Sequence, residues 1–425
     1  MTTILWALFL ILLALLGAPL FSIIAAIALL SFYFLGIDTS AVIVEMYRLT
    51  SAPTLIAIPL FTFAGYVLAE SNAPKRLVNL SRALFGWMPG GLAIVVLVTC
   101  AFFTAFTGAS GVTIVAIGGL LYPMLRKEAY PEKFSLGLIT SSGSLGLLFP
   151  PSLPIILYAV VAKVNVDQLF LAGIIPGFLL IILLSIYSSQ KGIKSAVPTT
   201  PFHWNNLRLA LKEALWEIPL PFIIVGGIYG GLFTATESAA VTAFYALIIE
   251  VFVYRDLNLV KDVPKIIKES MVLVGGILVI LGTALGLTNY LIDEQVPMKI
   301  LNFMQTFISS KIVFLMLLNV LLLIVGCMMD IFSAIIVVVP LIVPIAREFG
   351  VDPIHLGVIF LTNLEIGYLT PPVGLNLFIS SFRFEKPILQ LYRASLPFLV
   401  ILIIALLIIT YVPGLSLALT RLIGR

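Results

Sequence analysis

Charge is what this chain has least of. Asp, Glu, Lys and Arg together make up 10% of its 425 residues, while 61% are hydrophobic and the mean hydropathy is +1.18. A soluble domain of ordinary usage carries about 25% charged residues to cover its surface. This chain cannot cover itself in that way, so its solvent is lipid, and its length allows roughly ten crossings of about 20 residues. Histidine is nearly absent, only His203 and His355, and so is cysteine, only Cys100 and Cys327. Both cysteines lie in apolar runs, at a spacing that suits neither a metal site nor a disulfide framework, and they read as small buried hydrophobes. No GxxxxGK[ST] stretch occurs, which excludes a P-loop ATPase. The N-terminus, MTTILWALFLILLALLGAPL, lacks a basic n-region and a clear small-residue cleavage site. It reads as a first membrane segment rather than a signal peptide. The net charge of +4 comes from loop lysines and arginines, so it speaks for membrane topology and not for nucleic acid.

What is present is apolar sequence in long runs, at 4–17, 19–36, 52–71, 88–125, 134–162, 168–187, 216–234, 237–254, 270–291, 312–346, 354–381 and 389–412. Residues 4–36 form either one long tilted helix or two short ones around Gly17-Ala18-Pro19. The runs 88–125 and 312–346 are too long for one crossing and too short for two with a loop. Each has small or polar residues near its middle, FTGASGVT from Phe106 and GCMMDIFSA from Gly326. These two are expected to be re-entrant hairpins, since non-helical backbone at membrane depth survives only when buried in protein or lining a cavity. Two other runs, 134–162 and 354–381, are interrupted by SSGSLGLLFPPSLP from Ser141 and by GYLTPPVGLN from Gly367. Paired prolines remove backbone donors and push the preceding residue away from helix, and the glycines permit unwound geometry. Each of these is expected to be a broken helix.

The interruptions recur at one spacing. Pro123 and Pro344, Gly146 and Gly367, Pro150-Pro151 and Pro371-Pro372, and Pro176 and Pro397 all stand 221 positions apart (344 − 123 for the first pair). The chain is an internal duplication, each half holding three crossings, a hairpin, a broken helix and a last helix. Placing the loops at 72–87, 124–133, 188–215, 255–269 and 383–388 in the cytoplasm puts 16 of the 24 Lys+Arg residues there and seven opposite. That bias satisfies the positive-inside rule and requires the second half to be upside down relative to the first. The first hairpin then enters from the cytoplasm and the second from the periplasm.

Two hairpin tips and two broken helices converging at the midplane form a device for ions and anions. Half-helix N-termini offer partial positive charge, and unwound carbonyls and hydroxyls suit a hard cation such as Na+. The cation-site candidates are Gly108 and Ser110 at the first tip, with Ser142 and Gly143 at the first break. At the second tip and break they are Gly326, Asp330, Gly367 and Thr370. The substrate-site candidates are Ser144, Ser333 and Asn376, and Thr113 accompanies the first tip. A carboxylate at mid-membrane costs on the order of 2.5–3.5 kcal/mol, so Asp330 should face a cavity, an ion or a basic partner, or else cap the returning arm. Glu237, with Thr234 and Thr236, stands where a helix restarts, and capping explains these residues as well as transport does. Glu365 and His355 call for no more than polar satisfaction, and Trp87 and Trp216 suit interfacial anchoring. GASG at Gly108–Gly111 matches the GxSG of rhomboid intramembrane proteases. Neither histidine is placed to activate Ser110, so nucleophilic catalysis is discounted and the chain is not expected to be an enzyme. A passive channel would explain neither the duplication nor two occluding hairpins.

AFFTAFTGASGVTIVAIGGLLYPML, SSGSLGLLFPPSLPIILY, GLFTATESAAV and GYLTPPVGLNLF, in that order along essentially the whole chain, resemble the large membrane subunit of the TRAP transporters (tripartite ATP-independent periplasmic, DctM-like). The resemblance implies an all-α polytopic protein of the bacterial inner membrane, an inverted-repeat elevator driven by sodium. A scaffold at 1–87 and 188–311, the latter including a cytoplasmic linker, would hold still. A transport domain at 88–187 and 312–425 would carry a small organic anion such as a dicarboxylate, keto acid or sialic acid. The resemblance places one sodium between the GASG tip and the SSGSLG break, another between Gly326 and the Gly367–Thr370 break, and the substrate between them. It implies two partners, a soluble periplasmic substrate-binding protein and a small membrane subunit of four helices. The latter is expected on another chain, since no extra span precedes residue 4.

Overall fold

The computed structural model describes residues 6, 9–10, 12–13, 16–49, 52–199, 201–306, 308 and 310–423, and every regular element among them is helical. Seven helices are long and apolar enough to cross a membrane, or eight counting the bent pair Glu132–Leu148 and Leu153–Ala162. The run 4–17 lies largely outside the described residues. The chain does turn at Gly17, with φ of 85°, and a new helix, Leu20–Phe34, follows Pro19. Pro19 is the N-cap of that helix, with ψ of 137°, and its missing N–H could not continue a preceding helix, which accounts for the break.

Hairpins and broken helices occur where the glycine and proline pattern puts them. The first hairpin runs up through Gly91–Thr107 and returns through Ser110–Thr113, Ile114–Gly118 and Gly119–Lys127. The second runs through Lys311–Met328 and Ile331–Glu348. Each arm of the second is 18 residues and by length and hydropathy suffices for a span. Its tip packs on the end of helix Pro353–Gly367, Gly326 against Gly367. The broken helices are Glu132–Ser142 with Leu153–Ala162, bent by 46°, and Pro353–Gly367 with Leu375–Phe384. Both Pro150–Pro151 and Pro371–Pro372 are cis. A shift of 221 positions carries Thr107 onto Met328, Lys127 onto Glu348 and Glu132 onto Pro353, so the duplication holds element end for element end.

The flanking helices form a second group. Pro53–Glu70 packs along Ala235–Ile248 and along Asp262–Asp293, which also covers Leu20–Phe34. In lipid there is no hydrophobic force between helices, so close backbone approach through small residues holds them together. Gly65 of Pro53–Glu70 is such a contact, pressed on the main chain of Phe106 and Thr107 near the first tip.

The five basic loops gather at one end of the molecule. Arg76, on the amphipathic helix Ala73–Phe85, is the hub. It bonds Glu217, both oxygens of Glu250 at 2.9 and 3.0 Å and Asp256 at 2.6 Å, and its guanidinium lies 3.7 Å from the Tyr254 ring centroid. Burial alone lowers the Arg76 pKa, but the bond to Asp256 and the charges of Glu250 and Glu217 outweigh it, and the group ends raised. Arg82 pairs with Glu128 at 2.6 Å, and Lys386 with Glu132 at 2.6 Å. The loops that charge bias assigns to one side of the membrane are thus neighbours in space.

Candidate functional site

Each tip sits on a break, and glycine sets the approach. Helix Gly91–Thr107 ends at Gly108, in the left-handed region at φ 64°. The Thr104 hydroxyl, one turn earlier, lies 2.7 Å from both the Thr113 hydroxyl and the Gly143 carbonyl. Gly146 at the break touches the main chain of Ala101 and Ala105, leaving no room for a Cβ. The second junction repeats the first, since a Cβ on Gly367 would lie 2.5 Å from the Gly326 carbonyl carbon. The Tyr368 hydroxyl accepts from the Ile331 N–H at 2.7 Å, and the Gly374 N–H donates to the Cys327 carbonyl at 3.2 Å. These contacts tie the second tip to the second break.

One side chain joins the two halves. Asn376, fully buried, accepts a hydrogen bond from the Ser110 hydroxyl at 2.7 Å. Its amide donates to the Thr140 carbonyl at 3.3 Å and the Ser144 hydroxyl at 3.4 Å. Thr140 also donates to Ser380 at 2.9 Å. Three residues singled out from sequence, Ser110, Ser144 and Asn376, therefore meet in one buried polar cluster. That cluster draws on the first tip, the first break and the second broken helix.

The other candidates are placed differently. Ser142 donates to the carbonyl of Ile139 in its own helix at 3.2 Å, and Gly143 enters through its carbonyl. Ser333 does not join Ser144 and Asn376, because its hydroxyl bonds the Asp330 carboxylate at the second tip. Asp330 accepts from the Phe332 and Ser333 N–H groups at 3.0 Å each, so it caps the returning arm and is exposed. Thr370 donates to the Ile366 carbonyl at 3.0 Å. Thr234 and Glu237 form a reciprocal capping box, which accounts for both residues without transport. His355 is held by Ser416 and the Thr410 carbonyl, remote from Ser110.

Glu365 breaks the expectation of polar satisfaction. It is fully buried, and neither carboxylate oxygen has a hydrogen-bond partner among the described residues. Under the 221-residue shift it stands where Ser144 stands in the first half. The repeat relation was the sequence signal that could have marked it. The Arg76 cluster was likewise missed, since its members come from stretches of the chain far apart in sequence.

The donor set at the two junctions is carbonyls and hydroxyls, with one carboxylate at the second tip. Neutral oxygens at fixed positions suit a hard, weakly held monovalent ion better than a transition metal.

With this geometry in view, the known proteins fall into place. The family model for the DctM component of the tripartite ATP-independent periplasmic transporter matches residues 6–415. The C4-dicarboxylate TRAP transporter large permease protein DctM of Pseudomonas aeruginosa is 37% identical over 388 residues, 90% of this chain and 89% of that protein. The ectoine/5-hydroxyectoine TRAP transporter large permease protein UehC of Ruegeria pomeroyi is 33% identical over 412 residues, 96% of each. Among solved structures, the YdaH transporter of Alcanivorax borkumensis superimposes with a TM-score of 0.62 at 15% identity, over 89% of both chains, a likeness of fold. The relatives are permease subunits and not enzymes, and the chain is a multi-pass protein of the inner membrane. It belongs to the DctM family, the large-permease component of the tripartite ATP-independent periplasmic transporters.

Proposed function

We propose that this large permease imports a small organic anion with sodium, and that the hairpins and broken helices move as one body against the flanking helices. The observation that carries the reading is the Asn376 cluster, which ties the first tip, the first break and the second broken helix together. Groups so bonded move together or not at all, as an elevator requires of its transport domain (88–187 and 312–425). The flanking helices, from 1–87 and 188–311, would be the scaffold.

Sodium binding between each tip and break would draw on neutral oxygens brought near one another by the tip-on-break packing. At the first junction these come from Gly108, Ser110, Ser142 and Gly143. At the second they come from Gly326, Gly367 and Thr370, with Asp330 supplying charge from the tip. The substrate would lie between the junctions near Ser144 and Asn376, with Ser333 reaching it from the second tip. The names of the relatives, C4-dicarboxylate and ectoine permeases, support a small polar organic solute. Two partners complete the system, a small four-helix membrane subunit and a soluble periplasmic substrate-binding protein.

The test is a sodium titration of uptake in proteoliposomes. Thr370→Val removes an oxygen and keeps the shape, so half-maximal uptake should need several-fold more sodium. Asp330→Asn keeps the cap and lowers the charge, and should weaken sodium dependence more than it weakens folding. Titrations identical to wild type in both variants would remove sodium from the second junction.

A further inference from the structure

At the end of the molecule opposite the basic loops, the two helix groups enclose a cleft of about 380 Å³. One wall is Thr288 and Asn289 of the long helix Asp262–Asp293; the other holds Lys163, Pro344 and Arg347. Lys163 closes helix Leu153–Ala162 in the left-handed conformation, and Arg347 lies in the last turn of Ile331–Glu348. Among the described residues no carboxylate lines the cleft. Both cations are exposed, and among the described residues neither side chain has an ion pair, hydrogen bond or ring contact.

Other cations of the chain are engaged. Arg76, Arg82, Lys265, Lys299 and Lys386 are all in ion pairs, and Lys311 donates to the Gly350 carbonyl at 2.6 Å. The position related to Arg347 by the repeat differs from it. Arg126, related to Arg347 by the 221-residue shift, is occupied by the Tyr130 carbonyl. At that end Lys386 is paired with Glu132. Two unpaired cations facing one cleft repel each other and raise the local concentration of anions. A guanidinium also offers a carboxylate two parallel hydrogen bonds, while Asn289 and Thr288 add neutral donors and Pro344 and Val161 an apolar floor.

We propose that this cleft is a periplasmic receiving site for a small organic carboxylate or sulfonate, held by Lys163 and Arg347 before it reaches the Ser144–Asn376 cluster. The proposal rests on the reading of the chain as an importer of organic anions and adds the residues that meet the substrate first. Its volume falls within the range of about 300–1,000 Å³ common to small-molecule sites. The walls belong to different helix groups, so the site exists only while those groups stand as they do here.

The test uses the full-length chain with Asn289→Cys, its parent chain as the background control, and two thiol reagents of equal size. One is anionic, 2-sulfonatoethyl methanethiosulfonate, and the other is its cationic trimethylammonium analogue. Relative to a free thiol, the anionic reagent should be favoured by about tenfold or more, the lower end of the range for electrostatic focusing. Arg347→Gln and Lys163→Gln should each cut that preference about threefold, and raised salt should erode it. If Asn289→Cys does not fold, Thr288→Cys probes the same wall. In uptake of labelled succinate at saturating sodium, either glutamine variant should raise KM and leave the sodium titration unchanged. A preference equal to that of the free thiol, or one untouched by both glutamine variants, overturns the receiving site, even if uptake stays sodium-dependent. A charge-dependent preference alongside sodium-independent uptake supports the site and overturns the sodium reading instead.

Discussion

Replacing Arg76 by glutamine isolates one cation that answers three carboxylates. Arg76 is 11% exposed, Glu217 and Glu250 are fully buried and Asp256 is 13% exposed. The helix Ala73–Phe85 is joined through this cluster to Glu217, to the end of the helix that continues Ala235–Ile248, and to the loop after it. Removing one partner of a buried ion pair costs about 3–5 kcal/mol, because the remaining charge is left without compensation. At ~2 °C per kcal/mol, the lower end for large domains, the unfolding midpoint in detergent should fall by roughly 6–10 °C. The pH dependence has a definite sign. Burial raises the Asp256 pKa, but hydrogen bonds from Asn72 and Arg76 outweigh it and hold the group below its ordinary value. Its contribution in wild type is therefore present at neutral pH and lost as the pH falls through the depressed pKa. A midpoint within ~2 °C of wild type would refute the reasoning.

Three other outcomes follow from the geometry. Gly367→Ala puts a methyl 2.5 Å from the Gly326 carbonyl carbon, so the second tip must lift off its break. That overpacking should cost about 1–3 kcal/mol and abolish uptake, and a stable, active alanine variant would show that the junction is loose. Glu237→Ala removes half of a capping box. It should lower stability slightly and leave the sodium titration unchanged, and a shifted titration would make Glu237 a transport residue. Asn376→Leu leaves the Ser110 and Ser144 hydroxyls without their shared partner. A loss of about 1–3 kcal/mol with little residual uptake is expected, and wild-type uptake would remove Asn376 from the mechanism.

The architecture was legible because backbone-breaking residues do not depend on tertiary context. Glycine at an approach closer than a Cβ permits, and paired prolines inside an apolar run, mark a break wherever they occur. Gly146 and Gly367 therefore located both junctions from sequence. Loop charge was nearly as direct, and the loops it grouped together meet through Arg76, Arg82 and Lys386. Side-chain partnerships were not legible. Ser110 and Asn376 are 266 positions apart, and nothing local to either announces the other. Ser333 was grouped with them by type, yet it lies one helical turn from Asp330 and bonds that neighbour instead. Asp330 was weighed as an ion ligand or a cap, and its bonds in this conformation are those of a cap. Glu365 was passed over because a lone glutamate in an apolar helix gives no local sign of being unpartnered. The free cations Lys163 and Arg347 are in the same position, since a charge without a partner is visible only in three dimensions.

The central claim is sodium-driven import that depends on a binding protein. Its most direct test is uptake of labelled organic acids into proteoliposomes holding this chain and its small membrane partner. The soluble binding protein is added outside, with and without an inward sodium gradient. Uptake should require both the gradient and the binding protein. Uptake indifferent to sodium would contradict the assignment of the two tip-and-break junctions as cation sites, and uptake without the binding protein would contradict the tripartite route.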